Sequence, residues 1–250
     1  MDALSSITLL GLTFDDAPLA QVTAGLLARV PGAPFAYVVT PNADHLVRLR
    51  RSPGLLPLYQ AAQLRLLDSR FIALAARALG LQHPAVVPGA DLAAALLEQL
   101  RGARIAVIGM QPPGFAALAA RYPANHFMHH APPGGLLNNP AAFARAREFG
   151  CGAQADFTFI ALGSPLQEHL AHAIATQGGA TGTGLCIGSA LDFCAGVLPR
   201  APLWMRRNGL EWLYRLRQEP RRLARRYLRA GPAILRDLLS AAWARKGRRS

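Results

Sequence analysis

Short, nearly unbroken apolar runs recur along the first two hundred residues, separated by longer amphipathic stretches, and this alternation leaves few folds open. Ile105-Ala106-Val107-Ile108 and Phe157-Thr158-Phe159-Ile160-Ala161-Leu162 lack the polar alternation of a strand wetted on one face. They read as strands covered on both sides, as in a parallel sheet. The same reading predicts strands at Ile7–Leu12, Phe35–Val39, Gln63–Leu67, Arg104–Ile108, His126–His130, Ala155–Leu162 and Gly184–Ile187. Helices are predicted between them, at Ala43–Arg51, Arg70–Leu79, Asp91–Leu100, Gly114–Arg121, Ala141–Phe149 and Leu166–Ala175. Pro31-Gly32, Pro112-Pro113, Pro132-Pro133-Gly134-Gly135 and Gly178-Gly179 mark loops. The fold class is therefore α/β, a parallel sheet with helices on both faces.

Charge divides the chain in two. Residues 1–199 hold 12 arginines against 11 carboxylates, whereas residues 200–250 hold 14 arginines and Lys246 against Glu211, Glu219 and Asp237. All three tryptophans, Trp204, Trp212 and Trp243, fall in the second segment. The division is thus a near-neutral α/β core over 1–199 and a basic appendage over 200–250. Pro202, Pro220 and Gly231-Pro232 predict two or three helices in the appendage, broken at Gly231-Pro232. With 52% hydrophobic and 16% charged residues the chain is not a disordered one. No run reaches the ~18 apolar residues of a membrane span, and MDALSSITLL has no basic stretch ahead of its apolar residues, so no secretory signal is expected. Three cysteines, Cys151, Cys186 and Cys194, cannot all pair internally, which fits a reduced, cytoplasmic setting.

In an open α/β sheet, ligands bind beyond the carboxyl ends of the strands. The residues there are Thr40-Pro41-Asn42-Ala43-Asp44, Asp68-Ser69, Gly163-Ser164-Pro165-Leu166-Gln167-Glu168 and Gly188-Ser189-Ala190-Leu191-Asp192. Thr, Asn, Asp and Ser at such places equally suit helix caps, and Asp68 gains interest only if it shares a cleft with Thr40 and Asn42. Gly109-Met110-Gln111-Pro112-Pro113-Gly114 lacks the full dinucleotide fingerprint. His129-His130 and the His169/His172 pair lack a carboxylate or thiolate at ligand spacing, and neither GxSxG nor a Walker A motif occurs.

Together with Pro88-Gly89-Ala90-Asp91-Leu92 and the block Arg200-Ala201-Pro202, Leu210-Glu211-Trp212-Leu213-Tyr214-Arg215-Leu216, Glu219-Pro220-Arg221-Arg222-Leu223 and Arg225-Arg226-Tyr227-Leu228, these motifs closely resemble the WecG/TagA/CpsF family, glycosyltransferase family 26. The resemblance runs from about Ile7 to Leu228. It implies a Rossmann-like core with a helical appendage. It also implies an inverting, metal-independent transfer of a hexose-type sugar from a UDP-sugar onto a polyprenyl-diphosphate-linked saccharide at the inner face of the cytoplasmic membrane. No cofactor is implied. By the same resemblance Asp68 is the general base, Thr40, Asn42, Gln167 and Glu168 line the sugar cleft, and Asp192 contacts the donor. Arg215, Arg221, Arg222 and Arg225 are the arginines expected to neutralise diphosphate.

The chain departs from the family pattern once, reading Asp68-Ser69-Arg70-Phe71 where a small, glycine-containing helix start is usual. A bulkier segment beside the base reshapes the sugar pocket, so the donor sugar is left open. The appendage has its own alternatives. Its arginines and tryptophans suit an anionic membrane surface. A charged tail could also hold phosphate backbones, but no nucleic-acid motif accompanies it, and no nucleic acid is expected. The third reading is a solvated tail or one packed in a homo-oligomer. The alternative to an enzyme is a non-catalytic, membrane-associated scaffold of a polysaccharide-assembly complex on the same fold.

Overall fold

The computed structural model describes residues 4–246, apart from the side chains of Arg222, Arg225, Arg226, Tyr227, Arg229 and Lys246. The chain opens with a hairpin, β1 (Ser5–Leu9) and β2 (Leu12–Asp16), and helix α1 (Leu19–Leu27). Strand β3 (Ala36–Val39) leads into α2 (Ala43–Arg51) and α3 (Leu56–Gln60), and β4 (Leu64–Arg65) into α4 (Arg70–Ala78) and α5 (Gly89–Gln99). Then come β5 (Arg104–Gly109), α6 (Pro112–Arg121), β6 (His126–His130), α7 (Pro140–Gly152), β7 (Phe157–Ala161), α8 (Leu166–Gln177), β8 (Thr183–Cys186) and α9 (Ala190–Cys194). Helices α10 (Leu203–Arg207), α11 (Glu211–Gln218) and α12 (Pro220–Lys246) close the described chain.

Six strands form one parallel sheet in the order β4-β3-β8-β7-β5-β6. Val107, Ile108, Phe159 and Ile160, from the two diagnostic runs, are wholly buried, as double-sided covering requires. One face packs against α2, α3, α4, α7, α8 and α12 through residues such as Tyr59, Ile72, Leu170 and Ile234. The other packs against α1, α5, α6 and α9 through Val22, Leu92, Leu96, Leu118 and Leu191. The α/β architecture read from the sequence is the one found.

Three local expectations are corrected. The first apolar run is not a strand of the sheet. Leu10 and Gly11 both have positive φ, 53° and 83°, so the chain reverses and pairs β1 with β2 antiparallel. Asp15 Oδ2 of that hairpin accepts from Arg65 N at 2.8 Å, and Asp16 Oδ1 from Ala85 N at 2.7 Å, so the hairpin covers the β4 edge. Helices α1 and α3 were not anticipated: their apolar positions are short runs between proline and glycine signals. Finally, α12 runs unbroken through Gly231-Pro232. Proline removes one helix hydrogen bond, and packing outweighs that loss, since Leu223, Ala230, Ile234 and Leu238 are buried. An ion pair between Arg50 of α2 and Asp237 of α12 adds to the attachment. Ile234 is completely buried, so Ile234→Ala should cost about 2–5 kcal/mol of unfolding free energy, measured by chemical denaturation. Among the described residues no helix is long and apolar enough to cross a membrane.

Candidate active site

At the carboxyl ends of β3, β4 and β8 lies a cleft of about 450 Å³. This is where strand order departs from chain order, the expected place for a ligand in such a sheet. The core lines the cleft with Asn42, Asp68, Arg70, Pro88, Ile187 and Ser189. The segment after α9 closes it with Arg200, Arg206, Glu211, Trp212, Arg215 and Leu216, and α12 adds Leu228, Pro232 and Leu235.

Asp68 sits just past β4. Its N–H donates to Pro41 O at 2.9 Å, which ties it to the turn after β3, and its Oδ2 accepts from Gly89 N at 3.3 Å. Gly89, the first residue of α5, needs its missing side chain: a Cβ there would stand 2.9 Å from Thr40 Oγ1. Close approach of the helix start thus places a backbone N–H on the carboxylate. Desolvation pushes the Asp68 pKa from 3.8 up to about 6; the Gly89 N–H opposes it, the Glu211 carboxylate adds to it, and Arg215 and Arg200 oppose it.

The sign of that shift gives two expectations. A base must be deprotonated, so turnover should rise with pH along an acidic limb centred near pH 6. Because the folded value lies above the unfolded one, ionised Asp68 opposes folding. That penalty is absent below about pH 4, grows through the interval and is complete above pH 6. Asp68→Asn should therefore raise the melting temperature at pH 7.5 relative to the native chain and leave it unchanged near pH 3.

The other expected site residues divide. Asn42 lines the cleft and also caps α2, its side chain accepting from Asp44 N at 3.1 Å, so both readings of that residue hold together. Arg215 lines the cleft as well. Its Nη2 donates to Ser189 Oγ at 2.8 Å and its guanidinium carbon lies 5.5 Å from the Phe193 ring centroid. Thr40 is buried behind the cleft wall and donates to Cys186 O at 3.3 Å, joining β3 to β8. Gln167 and Glu168 are buried too, and face each other. Gln167 Nε2 donates to Glu168 Oε1 at 2.9 Å, while Gln167 Oε1 accepts from Gly188 N at 2.8 Å. Their visible work is to hold the loop that carries Ser189, and burial pushes the Glu168 carboxyl above its usual value.

Asp192 does not line the cleft; its carbonyl accepts from Val197 N and Leu198 N and closes the turn after α9. Arg221 is exposed and outside the lining. The side chains of Arg222 and Arg225 lie outside the described residues.

Sequence reasoning missed Arg70, Asp91, Arg200, Arg206 and Glu211 as members of the site. Asp91 Oδ1 accepts from Arg200 Nη1 at 2.6 Å and from Arg206 Nη1 at 3.4 Å, and Arg70 Nη2 lies 3.7 Å from its Oδ2. Arg200 also reaches Glu211 Oε1 at 3.4 Å. The signal was present in Pro88-Gly89-Ala90-Asp91-Leu92 and Arg200-Ala201-Pro202, but nothing in either block says that the two meet. The cleft can thus accept a proton at Asp68 and hold anionic groups on its arginines. The chain matches the Glycosyl transferase WecG/TagA/CpsF family over residues 7–248. It therefore belongs to that family, glycosyltransferases of cell-surface polysaccharide synthesis.

Proposed function

We propose that this protein moves a hexose-type sugar from a UDP-sugar onto a polyprenyl-diphosphate-linked saccharide, with inversion and with Asp68 as the general base. Asp68 takes the proton of the acceptor hydroxyl as that oxygen bonds to the anomeric carbon. The bond from that carbon to the β-phosphate oxygen breaks on the opposite face, and UDP leaves with the electron pair. Arg215 and its neighbours offset the charge growing on the leaving diphosphate. The observation that carries the reading is one cleft in which a carboxyl with its pKa raised to about 6 shares walls with Arg200, Arg206 and Arg215. In this reading the positive charge comes from arginine, so activity should survive EDTA unchanged in a radiolabelled transfer assay.

The appendage of residues 200–250 serves both as a wall of the cleft and as a contact to the inner face of the cytoplasmic membrane. Trp204 and Trp243 are 60% and 83% exposed, and Arg207 on the helix of Trp204 is exposed as well, which suits an anionic lipid interface. Calorimetric titration of the full chain with UDP and a panel of UDP-sugars tests the core of the reading. Binding of UDP with preference for one sugar is expected. A folded protein without affinity for any of them, with lipid present, would leave the scaffold reading in its place.

A further inference from the structure

The reaction proposed above brings two diphosphates to one cleft, the donor's and the acceptor's, and the present inference rests on that reading. The cleft holds two cationic groups of different build. Arg215 binds a neutral hydroxyl, Ser189 Oγ, and lies over the Phe193 ring, and the carboxylate that feels its charge is Asp68 rather than Asp91. The other group is assembled on Asp91, in the first turn of α5, by Arg70 from α4, Arg200 from the segment after α9 and Arg206 from α10. Glu211 shares Arg200.

Three guanidinium groups against two carboxylates leave this cluster one positive charge in excess. Its side chains are only 17–33% exposed, yet all three arginines line the cleft. Arg200 Nη2 and Arg206 Nε, moreover, are buried with no hydrogen-bond partner among the described residues. A buried donor on a charged group is costly to leave unmet, and a cluster whose only task was to fasten the appendage would gain nothing from surplus charge and idle donors. An incoming anion that draws the guanidinium groups toward itself offsets both. The planar fork of arginine suits two phosphate oxygens at once.

We propose that Asp91 assembles Arg70, Arg200 and Arg206 into a second diphosphate seat, separate from Arg215, so that one cationic station serves each diphosphate of the reaction. Asp91 is then a positioning residue that acts through its arginines.

The test is calorimetric titration of the full chain with UDP and, separately, with farnesyl diphosphate as a short isoprenyl diphosphate. The variants are Arg70→Ala, Arg206→Ala and Arg215→Ala. Arg70→Ala and Arg206→Ala are expected to weaken farnesyl diphosphate by about tenfold and spare UDP, and Arg215→Ala to weaken UDP and spare farnesyl diphosphate. If UDP instead follows the Asp91 cluster, Arg215 does not serve the leaving diphosphate and this assignment of the two stations is overturned. Arg206→Lys should recover part of the lost affinity, and Asp91→Asn should weaken the same ligand as Arg206→Ala; a disordered appendage would lose both ligands together. The proposal is overturned if all three alanine variants weaken the same ligand. It is equally overturned if Arg70→Ala and Arg206→Ala leave both affinities unchanged, because the cluster is then a fastening only. A native chain that binds neither ligand would instead remove the glycosyl-transfer reading, and this seat with it.

Discussion

Asp68→Asn is expected to lower kcat by about 10²–10⁴-fold, the usual worth of a positioned general base, with UDP affinity retained. The amide keeps the size of the side chain and can still accept from Gly89 N, so the turn after β4 keeps its hydrogen bond. What it loses is the ability to hold a proton in the transition state. The measurement is single-turnover transfer at saturating donor across pH 5 to 8. The native chain should show its acidic limb near pH 6 and the variant a flat, low rate. Full activity in Asp68→Asn would remove Asp68 from the reaction.

The second large effect is expected at Arg215. Its guanidinium is held toward the strand ends by Ser189 and the Phe193 ring, where a leaving diphosphate would develop charge. Preorganised cations there matter more in the transition state than in the ground state, so Arg215→Ala should lower kcat/KM by about 10²-fold or more, most of it in kcat. Arg215→Lys should restore little, because an ammonium cannot fork two phosphate oxygens. Steady-state kinetics with the native acceptor reads this out. An unchanged kcat with a raised KM would mean that Arg215 only binds the ground state.

The sheet was legible because a strand buried on both faces leaves an unmistakable mark, as in Ile105–Ile108 and Phe157–Leu162. Helix α2 was read to the residue, since Asn42 caps its start, Asp44 sits in its first turn and Pro53 follows its end. The hairpin was missed because its turn is Leu10-Gly11: leucine does not advertise a positive φ, and Gly11 alone reads as a break in any element. The continuity of α12 was missed because Pro232 is a local signal, whereas Ile234 and Leu238 are held by residues from the far side of the chain.

Much the same contrast divides the site. Asp68 and Asn42 were legible because each follows its strand directly, and the sheet brings strand ends together by construction. The Asp91 cluster draws on positions 70, 91, 200 and 206, and such a meeting is decided by how the appendage docks rather than by any local pattern. Gln167 and Glu168 show the reverse: a polar pair at a strand end looked like cleft lining, but its own mutual hydrogen bond turns it inward.

Helix α12 gives the protein a particular evolutionary latitude. Leu228, Pro232 and Leu235 form one stripe along it and face the cleft, while Ile234 and Leu238 lie on a neighbouring stripe and plug the core. Selection can therefore reshape the wall that meets the substrate one position at a time, on a rod whose anchoring is written in different letters. New specificities can be explored along the first stripe without drawing down the stability stored in the second.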